Sequence, residues 1–225
     1  MKPVLRFQVE PAIDLKKALL AISNFADMKI DGHEYVHVSA TESEVVVYAS
    51  NPMGAGSIVV PSAECFEPGS MSFTADVAKE LAQSIKPRDK QEPVAAILTG
   101  FEESVEVECD FGDDIFGPQS CCTRRPATTV VSPVVDVPSV LGDVFAADTG
   151  GSVFMTPRQA SLLGRVAMVF NDSMHVEKLA GSHRSRVTVG PVRATVFCSD
   201  EGQSNEDECN EPVKVVVAAG SHGAV

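Results

Sequence analysis

The sequence predicts an α+β fold built from repeated strand–helix–antiparallel strand units, and three observations carry the prediction. Short valine-rich runs recur, such as Val45–Val47, Val59–Val60 and Val215–Val217, and with 6% aromatics and no Trp they favour strands. Three segments share one grammar: a short alternating strand, a polar or Pro-containing junction, then an amphipathic helix. Each helix is followed by a meander of strands, unlike the regular strand–helix alternation of a doubly wound sheet.

The first unit opens with a strand over Leu5–Val9, and Glu10-Pro11 leads into a helix from about Ala12 to Ala26. Pro11 suits a helix start, where its missing N–H costs nothing. Leu15, Ala18, Leu19, Ile22 and Phe25 form the apolar face, and Lys17, Ala21 and Asn24, with Lys16 adjacent, lie opposite or beside it. Strands are expected over Tyr35–Ala40, Glu44–Ser50 and Gly56–Pro61, with a hairpin turn at Thr41-Glu42-Ser43. Gly54-Ala55-Gly56 reads as a turn.

The second unit pairs a strand over Ser70–Phe73 with a helix from Thr74 or Ala75 to Ile85. Thr74 is the expected N-cap, Asp76 suits the positive helix start, and Pro87 ends the helix. Ala78, Leu81, Ala82 and Ile85 face inward. Strands follow at Val94–Thr99 and Ser104–Asp110, split by Gly100-Phe101-Glu102-Glu103.

The third unit opens at Ser152–Met155, with Thr156 as N-cap and Pro157 at the first helical position. Leu163, Val166, Ala167 and Phe170 form its apolar face, and Asn171-Asp172 closes it. Its strands are expected at His175–Leu179, Arg186–Val189, Val192–Cys198 and Val213–Val217, with a tight turn at Gly190-Pro191.

This organisation implies one lobe over residues 1–112 with two helix units, a connector over 113–151, and a second lobe over 152–225 with one helix unit. Within the connector, Pro138–Phe145 is expected as a short helical or packed segment. Asp200–Pro212 is expected as an acidic mobile loop, and the tail after Ala218 as frayed.

The net charge of −13 argues against general affinity for nucleic acid, but leaves room for one basic surface on an acidic body. The helices supply candidates. Lys16 and Lys17 lie on the first. Lys79, Gln83 and Lys86 form a stripe on the second, extended by Arg88 and Lys90. Arg158, Ser161 and Arg165 form a stripe on the third. Exposed helix faces commonly carry Lys and Arg, so the stripes alone do not settle a DNA contact.

No G-x-S-x-G, Walker loop or H-E-x-x-H occurs, so no enzyme and no cofactor is expected. The six cysteines form no Cys-x-x-Cys pair, so no metal site is expected. Cys121 and Cys122 are placed in a loop, and nothing in the sequence brings Cys122 to His175 as a nucleophile and base. Glu102-Glu103 and Asp113-Asp114 read as solvated turn residues. The absence of an apolar leader or a membrane-length stretch points to reduced thiols in the cytoplasm.

The pattern resembles the bacterial DNA polymerase III β sliding clamps and their phage relatives. Asp14-Leu15-Lys16-Lys17-Ala18-Leu19-Leu20 resembles the first clamp helix. Val36–Ala40 and Val45–Asn51 resemble the following strand pair. Ser72-Phe73-Thr74-Ala75-Asp76-Val77-Ala78-Lys79-Glu80-Leu81 resembles the entry to the second helix. Thr156-Pro157-Arg158-Gln159 with Leu162–Val166 resembles a further unit.

The resemblance implies a replication processivity factor that encircles duplex DNA without sequence specificity. Helices would line the hole, and the ring would tether a polymerase or another replication protein. Lys16, Lys17, Lys79, Lys86, Arg88, Lys90, Arg158 and Arg165 would face the phosphates. Three units are recognisable, where a two-domain subunit would show four, so the chain is expected to form a homo-oligomer. The alternative is a clamp-fold regulator that binds a replication or recombination partner without encircling DNA. Val215–Gly220 lacks the Met-Pro ending of bacterial clamps, so no partner-docking residue is carried over.

Overall fold

The structure is a computed structural model that describes residues 2–87, 92–114, 117–128, 132–197 and 213–214. The first unit runs through β1 (Leu5–Val9), α1 (Ala12–Ile22), a 3-10 turn at Ser23–Phe25, β2 (Tyr35–Ala40), β3 (Val45–Asn51) and β4 (Gly54–Val59). Next come β5 (Ala63–Glu67), β6 (Gly69–Thr74), α2 (Ala75–Ser84), β7 (Ala95–Gly100), β8 (Ser104–Asp114) and β9 (Gly117–Pro126). After α3 (Val137–Ala146), the third unit comprises β10 (Phe154–Met155), α4 (Pro157–Phe170), β11 (Met174–Lys178), β12 (Arg184–Val189) and β13 (Val192–Phe197). The short β14 (Val213–Lys214) pairs with β10.

The strands form two larger antiparallel sheets. One holds seven strands in the order β11-β12-β13-β4-β3-β2-β6, and the other five in the order β5-β1-β7-β8-β9. The seven-stranded sheet joins the first and third units, because β13 pairs with β4 from Val192 opposite Ile58 to Val196 opposite Gly54. Strand alternation gives this sheet two different faces. Val45, Val47, Ile58, Val192, Ala194 and Val196 point into one core with Leu5, Phe7, Leu15, Leu19, Phe25 and Leu81. Ala55 points the other way, into a small cluster with Val137 and Leu141 of α3.

Helices α1, α2 and α4 occupy the inner side. α1 packs against α2 along one flank and α4 along the other, while α3 lies against β3, β4, β12 and β13. The local signals explain the helix bounds. Thr74 Oγ1 accepts from Val77 N at the start of α2. Thr156 and Gln159 form a reciprocal capping box at the start of α4, and Asn171, in the left-handed region at φ 51°, ends it. Gly190, at φ 52°, makes the two-residue turn between β12 and β13.

Several elements differ from the sequence expectation. α1 stops at Ile22, and its last turn tightens to 3-10 because Ser23 Oγ and the Asn24 amide both donate to Leu20 O. Gly54-Ala55-Gly56 is strand, not turn. Its glycines are required by packing: a Cβ on Gly56 would sit 2.5 Å from the Phe25 ring. β5 was not anticipated. Within 113–151 the structure places Asp113 and Asp114 at the end of β8, then β9 and α3, so Cys121 and Cys122 lie in a strand. Pairing to β8 holds β9 in place despite its Pro, Ser and Thr content. The expected loop at Asp200–Pro212 lies outside the described residues, as does all but 213–214 of the stretch from 198 onward.

Candidate nucleic-acid interface

The layer α2–α1–α4 carries the predicted phosphate contacts. Lys16 and Lys17 are half-buried on α1, and Lys79, Lys86, Arg158 and Arg165 are exposed on or beside α2 and α4. Gln83 and Ser161, the uncharged members of the stripes, are also exposed. Arg88 and Lys90 lie outside the described residues.

The residues expected opposite or beside the apolar face of α1 are not all exposed. Ala21 is fully buried, and the Asn24 amide is occupied by Leu20 O at 2.8 Å and Ala21 O at 3.3 Å. α1 is the central helix, flanked on both sides, and its uncovered strip carries Ile13, Asp14, Lys16, Lys17 and Leu20. The cations of α2 and α4 are more accessible than Lys16 and Lys17.

The layer is less acidic than the molecule around it. α1, α2 and α4 together hold five Lys or Arg against three Asp or Glu, in a chain with 18 basic and 31 acidic residues. Asp76 pairs with Lys79 at 3.4 Å, and Glu80 pairs with Arg125 of β9. These exposed pairs contribute little to stability; the first offsets Asp76 with the layer's own Lys79, and the second offsets Glu80 with a cation from β9. α4 carries Arg158 and Arg165 and no acidic residue.

Catalytic alternatives gain nothing from the geometry. Cys122 lies on β9 in the five-stranded sheet and His175 on β11 at the edge of the other sheet. Burial, with Glu106 and Glu108 nearby, pushes the Cys122 thiol up, away from the nucleophilic thiolate. Cys109 faces Cys121 across β8 and β9, and burial together with that neighbour pushes it up to about 12. Among the described residues no group of three His, Cys, Asp or Glu is placed to hold a metal ion, and no helix is long and apolar enough to cross a membrane.

No profile of a known protein family and no curated protein sequence matches the chain. Solved structures do. The β subunit of DNA polymerase III from Borrelia burgdorferi matches over 90% of this chain and 66% of its own, with a TM-score of 0.60 and 11% identity. The Thermotoga maritima β subunit matches over 87% and 65%, with a TM-score of 0.57 and 12% identity. The Pseudomonas aeruginosa β subunit does so with a TM-score of 0.56 and 13% identity.

The chain has the DNA clamp fold. It spans just under two thirds of the length of the Thermotoga clamp. Identity this low means that the clamp fold is shared through its pattern of strand, helix and meander, not through retained side chains.

A second charged region lies outside the helix stripes. Residues 152–197 contain six Lys or Arg and two Asp or Glu, whereas residues 2–114 contain nine and twenty. Arg184, Arg186 and Arg193 lie on the outer face of β12 and β13, opposite the inward Val187, Val192 and Ala194. The legible signal was Arg184-Ser185-Arg186 at strand spacing, with one acidic residue in all of 174–197.

Proposed function

We propose that the chain is a sliding-clamp-like replication processivity factor that encircles duplex DNA as an oligomer and tethers a polymerase or another replication protein. The observation that carries the reading is the unbroken layer α2–α1–α4, set on the inner side of two sheets in a fold otherwise found in β sliding clamps. Lys16, Lys17, Lys79, Lys86, Arg158 and Arg165 give this layer a positive balance on a body of net charge −13. Arg88 and Lys90, which follow α2, complete the proposed set. Loose Lys and Arg contact with phosphate is independent of sequence and compatible with sliding.

The reading requires no catalytic group or cofactor, and places the protein in the cytoplasm with the replication machinery. A chain with three units must associate with further copies to close a ring. Light scattering is expected to give a defined closed oligomer. The protein is expected to be retained on nicked circular DNA and to run off when the circle is cut. The combined variant Lys16→Glu, Lys17→Glu, Lys79→Glu, Arg165→Glu is expected to abolish retention at moderate salt. A monomer that binds a replication protein without circle-dependent retention would establish the non-encircling regulator instead.

A further inference from the structure

We infer that the outer face of β12 and β13 is a second polyanion site, and that its ligand is single-stranded nucleic acid. This face points away from the α1, α2 and α4 layer, so it is separate from the proposed duplex contact; α3 packs on part of it, and Arg184 and Phe197 lie on the same face. On this face β11 to β13 carry Arg184, Arg186 and Arg193 against the single carboxylate of Glu177, while Lys178, opposite the buried Ser185, has the register of the inner face.

The arginines are arranged rather than scattered. Arg186 is held by Glu177, which lies directly opposite on β11, with Nε–Oε2 at 2.6 Å. The Arg184 guanidinium lies over the ring of Phe197, its cross-strand partner, at 5.4 Å from the centroid. The Arg193 guanidinium lies over Phe145 of α3 at 5.2 Å. Stacking on a ring fixes the plane of a guanidinium and leaves its N–H edge free for a phosphate. Neither Arg184 nor Arg193 has a carboxylate partner among the described residues.

One neighbour points to a nucleic-acid strand over an acidic peptide. Phe197 is 43% exposed on this same face, a flat apolar surface beside cations, on which an unpaired base can stack. A paired duplex hides its base faces, so a stacking ring favours single strands. An acidic peptide would use the arginines and leave the ring without a role.

The test is fluorescence anisotropy of a labelled oligodeoxythymidylate with the full chain across a salt series. Wild type is expected to bind, with affinity falling as salt rises. Arg184→Glu/Arg193→Glu is expected to weaken binding by at least about tenfold and to flatten the salt slope by about 0.7 for each arginine removed. Phe197→Ala, at an exposed ring, is expected to weaken binding about five- to tenfold without changing the slope. Thermal melts of both variants confirm that they fold. The helix-layer variant described above is expected to lose retention on circles and keep oligothymidylate binding, so the two sites fail separately. The inference is overturned if the wild type does not bind the oligonucleotide. It is equally overturned if Phe197→Ala is neutral and polyglutamate of equal charge competes as well as the strand, since the face would then be an acidic-peptide site.

Discussion

The first and third units share one connectivity and are stabilised in different ways. α1, the helix of the first unit, lies between α2 and α4 and buries Ala12, Leu15, Ala18, Leu19, Ala21 and Ile22 in eleven residues. It has no side-chain N-cap bond. α4, in the third unit, is longer, is flanked by α1 on one side, and buries Gln159, Leu162, Leu163 and Val166. It carries a full capping box, and Met168 on its outer side is 74% exposed. A helix enclosed by neighbours is held by burial and needs no local device. A helix at the margin loses part of that burial and relies on its ends.

The outer faces of the two units differ in the same sense. In the first, His37 stacks on Tyr48 with centroids 5.2 Å apart, bonds to Ser72 Oγ at 2.7 Å, and is 6% exposed. In the third, Glu177 and Arg186 form an exposed ion pair.

Leu19→Ala should give the largest effect, a loss of about 3–5 kcal/mol in denaturant unfolding, because α1 is enclosed and cannot collapse into the void. Leu163→Ala on α4 should cost less, about 2–3 kcal/mol, since a marginal helix can shift inward. Equal costs would break the distinction between enclosed and marginal helix.

His37 should give the next effect. Burial lowers its pKa from 6.5 to about 4, so the unfolded chain takes up a proton in this range and the folded chain does not. Stability is therefore full above pH 6.5 and falls as the pH drops towards 4, by roughly 3 kcal/mol at most. His37→Phe should flatten that part of the pH profile, and an unchanged profile would contradict the buried stack.

Thr156→Ala, which removes the capping box, should cost about 1 kcal/mol and raise amide exchange in the first turn of α4 ahead of other helices. Arg186→Ala should cost less than about 0.5 kcal/mol, as expected for an exposed pair, and its cost should shrink further in high salt. A larger loss there would mean that the outer face of the third unit is structural, like that of the first.

Much of the clamp fold was legible because it rests on local signals. Thr74 and Thr156 are caps in sequence and in structure, Gly190-Pro191 turns a hairpin in both, and inward residues of α2 such as Ala78, Leu81 and Ala82 follow from helical spacing. β5 and β9 were illegible because long-range pairing with β1 and β8, not propensity, makes them strands. Gly54-Ala55-Gly56 was misread because the demand for glycine comes from Phe25, a residue distant in sequence. The candidate interface was legible as a set of cations but not as a surface. Helical spacing places Ala21 beside Lys17 and cannot show that the elements packed around α1 bury it. The outer arginines were present in the sequence, but their role depends on cross-strand register.

The recurring strand–helix–meander unit, its caps and its inward faces were set by the sequence alone, because each is an interaction between residues close along the chain. The tertiary structure decided which helix is enclosed, which glycine is obligatory, and that β13 joins β4 so that two units share one sheet. It also decided that Arg184 meets Phe197 and Arg193 meets Phe145. These depend on which distant segments pack together, and packing alone turns a count of charges into two separate basic surfaces on an acidic molecule.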